Sequence, residues 1–191
     1  VDLNAYLALE CRLFKKFAFI FGVTFDGPDY SSQVADYFFD KEKGFFFDRR
    51  LKDGSFIQEP GCEAYTPLWT KVATADQVKA MLPLLTDTAK FSTYIPFPTV
   101  AADHPKYNPR GYWRGPIWLD QTYFAIRGLR NYGYNKMADE YTLQVFDRLQ
   151  GLKEGAPIHE NYGTHTGELL KAPHFSWSSS HLLMLYDDYG K

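Results

Sequence analysis

The chain has 191 residues, enough for one sizeable core, and 45% of them are hydrophobic, which excludes a disordered polymer. Its net charge is −2 with no basic run, so neither nucleic acid nor an anionic membrane is an indicated partner. The unusual figure is 18% aromatic residues, a supply that can fill a core or cover the apolar faces of sugar rings.

From Leu3 to Phe21, apolar residues recur at helical spacing: Leu3, Tyr6, Leu7, Leu13, Phe14, Phe17, Ala18 and Phe21. Asp2 or Asn4 is a candidate cap, and Gly22 stands where a helix-ending glycine belongs. The chain opens at Val1-Asp2-Leu3-Asn4, already at a helix start, which suggests a segment cut from something longer. The longest apolar run, around Phe17 to Phe21, is far too short to span a bilayer.

Asp29 to Asp40 reads as a second helix, with Gly44 ending that segment. Phe45 to Leu51 reads as a short strand, and Asp53-Gly54 as a hairpin turn into Phe56-Ile57. Gly61 to Trp69 is a turn opening a helix whose first turn holds Pro67; Thr74 caps the next, Ala75 to about Leu85. Tyr94 to Gly111 is proline-rich and without periodicity, and a run of that length in a compact protein is usually functional.

Pro116 is expected to start the best helix, with Ile117, Phe124, Ala125, Leu129 and Tyr132 on its apolar side and Gly133 at its end. Asn135 is expected to cap a further helix through Met137, Ala138, Tyr141, Val145 and Leu149. Pro157 to Glu168 reads as a loop rich in Gly, Asn and Thr that carries two carboxylates, two histidines and a tyrosine. Ser176 or Ser178 then caps a last helix through Leu182, Leu185, Tyr186 and Tyr189. Paired helices with long loops on one side and short turns on the other suggest an α/α hairpin array closing toward a barrel, whose long loops form the working face.

Three stretches concentrate groups suited to gripping a polar ring: Gly61 to Tyr65, Tyr112 to Gln121, and Glu160-Asn161-Tyr162 with Phe175-Ser176-Trp177. Trp113 and Trp118 flank Arg114 and precede Asp120, so a stacking surface, a charged donor and an acceptor occur together. The same cluster also suits a core with a surface ion pair. His159, Glu160 and His165 lack metal-ligand spacing, Cys11 and Cys62 lack a ligand or redox pattern, and no phosphate-binding glycine motif is present.

Tyr112-Trp113-Arg114-Gly115-Pro116-Ile117-Trp118, Gly128-Leu129, Tyr132-Gly133, Glu160-Asn161-Tyr162 with Thr166-Gly167, and Phe175-Ser176-Trp177-Ser178 together resemble the C-terminal part of the catalytic domain of glycoside hydrolase family 63. Gly61 to Trp69 is similar to another stretch of that domain, and Trp118-Leu119-Asp120-Gln121 is nearer the bacterial α-glucosidase type than processing α-glucosidase I. The resemblance implies a mostly α-helical chain, residues 1–191 forming a single segment of an (α/α) six-hairpin barrel, and inverting hydrolysis of an α-glucosidic bond. Glu160 matches the general base. The family's general acid, an aspartate in a Ser-Gly-x-Asp motif, would lie upstream, and no such motif occurs here.

Around that base, Trp113, Trp118, Tyr162 and Trp177 are expected to stack on sugar rings, while Glu63, Tyr65, Arg114 and Asp120 contribute further substrate contacts. The implied partners are an oligosaccharide with α-linked glucose and the N-terminal remainder of the same domain. No cofactor or metal is expected within these residues, and a periplasmic address would follow from the bacterial likeness alone. A non-catalytic carbohydrate-binding module on the same fold is the rival reading. An epimerase or lyase on an α/α barrel is the third, disfavoured by the two motifs Trp-Arg-Gly-Pro-x-Trp and Glu-Asn-Tyr.

Overall fold

A computed structural model describes residues 1–191. It is built from helices with three small antiparallel hairpins. Helix α1 (Asp2–Phe21) ends where Gly22 turns left-handed and returns its N–H to the carbonyls of Ala18 and Phe19. Its start carries no side-chain cap, so Asp2 and Asn4 do not play the expected part. Helix α2 (Ser31–Phe38) is shorter than its pattern suggested, because Phe39–Asp40 leave it as β1 to pair with β2 (Phe45–Phe46). The expected single strand after Gly44 is likewise broken: β3 (Asp48–Arg49) forms a second hairpin with β4 (Phe56–Ile57) across the Asp53-Gly54 turn.

A 3-10 turn (Cys62–Tyr65) runs into α3 (Thr66–Trp69), and α4 (Ala75–Leu85) starts at a capping box. There Thr74 accepts from the Gln77 N–H while the Gln77 side chain accepts from the Thr74 N–H, satisfying two donors that a helix start leaves open. Helix α5 (Leu119–Asn131) is the centre of the molecule and packs against α3, α6 (Asn135–Arg148) and α7 (Ser176–Asp188). A Cβ on Gly128 would stand 2.5 Å from Leu68 Cβ, so the α3–α5 crossing requires glycine there.

Three expected helix starts are corrected. Helix α5 begins at Leu119 rather than Pro116, since Ile117 is extended and exchanges two backbone hydrogen bonds with Tyr162. Asn135 lies inside α6 and caps nothing, and α7 likewise has no side-chain cap at its start. Ser178 instead reaches across the fold, its hydroxyl donating to the Glu160 carbonyl at 2.9 Å. The largest correction concerns Pro157 to Glu168: it is half of a hairpin, β5 (His159–Tyr162) paired with β6 (Leu169–Pro173). Glycine and threonine there form the turn, but the Glu-Asn-Tyr segment itself is strand.

One main core runs under the α3–α5–α6 face and takes up many of the aromatics: Phe45, Phe46, Phe91, Phe97, Tyr65, Tyr141 and Tyr162 are all buried in it. Phe45 stacks on Phe91, and Tyr65 meets Phe91 and Phe97 edge-on. Each such ring contributes roughly 1.5–3 kcal/mol through removal from water. A smaller cluster of Ala5, Ala8, Val34, Ala35 and Val72 fixes α1 to α2. Cys11 and Cys62 are both free thiols. No helix is long and apolar enough to cross a membrane.

Candidate active site

Glu160 is the second residue of β5, and its backbone is held on three sides. Tyr162 exchanges hydrogen bonds with Ile117 at 2.9 and 3.0 Å, Ser178 ties the Glu160 carbonyl to α7, and β6 pairs along the other edge. The ladder is irregular here: Asn161 faces Leu170 but His159 faces Pro173, so β6 has one extra residue opposite Glu160, with Lys171 at φ +60°. Such bulges re-aim neighbouring side chains. The Glu160 carboxylate accepts a hydrogen bond from the Tyr112 hydroxyl, from a loop 48 residues earlier.

Beside it stands a bank of rings. Trp113 lies flat on Trp118, with centroids 4.1 Å apart and planes 10° apart. Trp177 meets Trp118 at 5.7 Å, Tyr112 meets it edge-on at 4.9 Å, and Phe175 closes the cluster. Trp113 and Trp177 remain 42% and 45% exposed, whereas Trp118 is 2% exposed and covered by Trp113. The outer two are therefore the available stacking surfaces, and Trp118 is their support.

Trp113 also lines a cleft of about 440 Å³, together with Glu63, Arg114, Glu59, His104 and Lys106 among others; Glu160 itself is not in its lining. Glu59 ion-pairs with Lys106 and its carboxylate also contacts His104 Nε2. Burial pushes the Glu63 carboxyl up to about 8, so it is mostly protonated at neutral pH and able to donate a hydrogen bond.

Four expected contacts do not reach this surface. Tyr65 is fully buried and donates its hydroxyl to the Pro98 carbonyl at 2.8 Å. Tyr162 is 1% exposed, its ring in the core and its hydroxyl accepting from the His159 N–H. Asp120 is buried, accepts from the Gln121 amide at 2.7 Å, and has its carboxyl raised by desolvation. Trp118 is the fourth, for the reason given above. Of the remaining expected residues, Arg114, Trp113 and Trp177 are exposed, while Glu63 and Glu160 are partly buried.

The contact of Tyr112 with Glu160, and the presence of Glu59, His104 and Lys106 in the cleft, are features that the sequence alone does not single out. Tyr112 opens a conspicuous motif, but its pairing with Glu160 spans 48 residues and has no signature in spacing. No group of three or more His, Cys, Asp or Glu residues is placed to hold a metal ion.

Helical layers with a carboxylate, exposed indoles and a polar cleft on the connecting segments place the molecule in the α/α-barrel class. Residues 2–178 match the family model described as "Mannosylglycerate hydrolase MGH1-like glycoside hydrolase domain", and the chain belongs to that family, within glycoside hydrolase family 63. Mannosylglycerate hydrolase from Thermus thermophilus is 28% identical over 143 residues, covering 74% of this chain and 33% of that protein. Mannosylglycerate hydrolase MGH1 from Selaginella moellendorffii is 26% identical over 145 residues, covering 76% and 29%.

Among solved structures, a GH63 mannosylglycerate hydrolase from Thermus thermophilus in complex with glucose superposes with a TM-score of 0.79 at 21% identity, covering 97% of this chain and 47% of that one. Neutral trehalase Nth1 from Saccharomyces cerevisiae gives 0.80 at 19% identity, covering 100% and 38%. These likenesses establish the fold as part of an (α/α) six-hairpin barrel. The chain spans about a third of the length of the curated relatives it matches and under half of the structural ones.

Proposed function

We propose that these residues form the base side of an inverting glycosidase site that hydrolyses an α-linked hexoside, with Glu160 as general base. The observation that carries the reading is the setting of Glu160: a carboxylate fixed at a bulged hairpin, one oxygen taken by Tyr112, beside the indoles of Trp113 and Trp177. In inversion the base removes a proton from water as the water oxygen bonds to the anomeric carbon. An acid on the opposite face gives its proton to the departing oxygen, the two carboxyls standing roughly 6.5–9.5 Å apart. In this proposal the acid comes from a segment of the enzyme outside these 191 residues, so they are expected to be inactive by themselves.

Trp113 and Trp177 would cover the apolar face of the sugar, with Glu63 and Arg114 bonding its hydroxyls across the cleft. An α-glucoside is the substrate that the motifs favour. Mannosylglycerate is a second reading, favoured by the relatives named for it and by Arg114. That guanidinium lines the cleft and enters none of the ion pairs, so it is available to a substrate carboxylate.

The test is Glu160→Gln in the full-length protein, with α-glucosides and mannosylglycerate offered in parallel. Loss of a general base should lower kcat by about a hundredfold or more while KM moves little. Azide should restore part of the turnover. Near-normal turnover of the variant on every substrate that the parent accepts would remove Glu160 from the base role.

A further inference from the structure

Tyr112 has a left-handed backbone, φ +61°, a conformation that a bulky residue rarely adopts and keeps only where its surroundings enforce it. Here they do. The Tyr112 carbonyl accepts from the Trp118 indole N–H at 3.0 Å, and the Asn108 N–H donates to the Arg114 carbonyl at 2.7 Å across the base of the loop. Gly115 follows so closely under that loop that a Cβ on it would stand 2.5 Å from the Asn108 carbonyl oxygen.

The same loop is tied to the β5–β6 hairpin at two further points. Arg110 ion-pairs with Glu168 at 2.8 Å, and the Tyr107 hydroxyl hydrogen-bonds to His165 Nε2 at 3.0 Å. Three side-chain contacts therefore fix the loop over the hairpin, and the strained residue is the one that touches the carboxylate. The ring of Tyr112 is further steadied by its edge-on contact with Trp118 and by Lys171 Nζ, 5.9 Å from its centroid.

From this we infer that Tyr112 is the positioning residue of the base: its hydroxyl occupies Glu160 Oε1 and turns the carboxylate so that Oε2 is the oxygen presented to water. The inference rests on Glu160 being the base. A carboxylate on a flexible stem can rotate, and either oxygen can accept a proton. Taking one of them with a fixed donor leaves one productive acceptor, which matters because a misplacement of about 1 Å can lower a rate by roughly 10²-fold. The strain at Tyr112 then has a purpose, since a relaxed backbone would carry the hydroxyl away from Glu160.

The experiment is Tyr112→Phe in the full-length enzyme, alone and combined with Glu160→Gln, following kcat, KM and melting temperature. Phenylalanine keeps the ring in the aromatic cluster and removes only the donor. Expected is a fall in kcat of about 10- to 100-fold with KM within about threefold and an unchanged melting temperature. In the Glu160→Gln background the same substitution should have no further effect, because there is no carboxylate left to orient. Wild-type kcat for Tyr112→Phe, or an equal fractional loss in both backgrounds, overturns the inference. Failure of the base assignment would look different: Glu160→Gln would then retain turnover whatever stands at position 112.

Discussion

Helices α1 and α5 look alike as sequences, each amphipathic and rich in large apolar residues, yet they have opposite fates. Nine of the thirteen residues of α5 are buried, including Leu119, Tyr123, Phe124 and Leu129. In α1 only four of twenty are buried, and they are the small ones, Ala5, Ala8, Cys11 and Ala18. Leu3, Phe14, Phe17, Phe19, Ile20 and Phe21 remain exposed. Apolar periodicity reports that a helix has a face to bury. Whether that face is buried depends on the elements packed against it, and α5 has α3, α6 and α7 where α1 has α2 and the short α3.

That difference can be tested at three places. Leu119→Ala removes a fully buried side chain from the main core and should destabilise by about 2–5 kcal/mol in denaturant unfolding. Its counterpart Phe19→Ser, at a position 88% exposed, should change the stability of the 191-residue chain by about 0.5 kcal/mol at most. If Phe19→Ser proves as costly in the full-length protein as a buried ring, about 3–5 kcal/mol, then the apolar face of α1 is a contact surface there.

Trp113→Ala comes second. An exposed ring stacked on one side only should weaken a sugar ligand by roughly 1–3 kcal/mol while lowering stability by less than a buried tryptophan would. A large fall in melting temperature with unchanged affinity would transfer Trp113 to the core beside Trp118.

Glu63 supplies the third test, read as a pH dependence. Its folded carboxyl is raised from 4.5 to about 8, so between those values the folded state holds a proton that the unfolded state releases. The stability this proton contributes should therefore be fully present below about pH 4.5 and fall as the pH rises toward 8. Glu63→Gln should flatten that slope in thermal melts at stepped pH. An unchanged slope would mean that desolvation does not raise the Glu63 carboxyl.

Much of the fold is legible in the sequence because local chemistry decides it. The Gly22 stop, the Thr74 capping box, the Asp53-Gly54 turn and the position of α4 depend on groups within a few residues of one another. Helix starts are less legible where a competing partner lies far off in sequence. Ile117 is drawn out of α5 by Tyr162, and Ser178 is drawn from capping α7 to the carbonyl of Glu160. The Glu160 segment reads as a loop for the same reason: its glycine- and threonine-rich neighbours mark a turn, but strand pairing with Leu169–Pro173 is not written in either segment alone.

By itself the sequence determined that helices would dominate and which family's motifs the chain bears, and it singled out Glu160 and the Trp113 stretch as the candidates for a site. Those are properties of residue type and short spacing. Only the tertiary structure decided which aromatics remain exposed, because Tyr65, Trp118 and Tyr162 have the same composition signal as Trp113 and Trp177 but are covered by neighbours. It also decided that Tyr112 meets Glu160, a pairing set by a left-handed turn and two loop tethers. Burial and long-range hydrogen bonding depend on the whole packed chain, so no window of the sequence contains them.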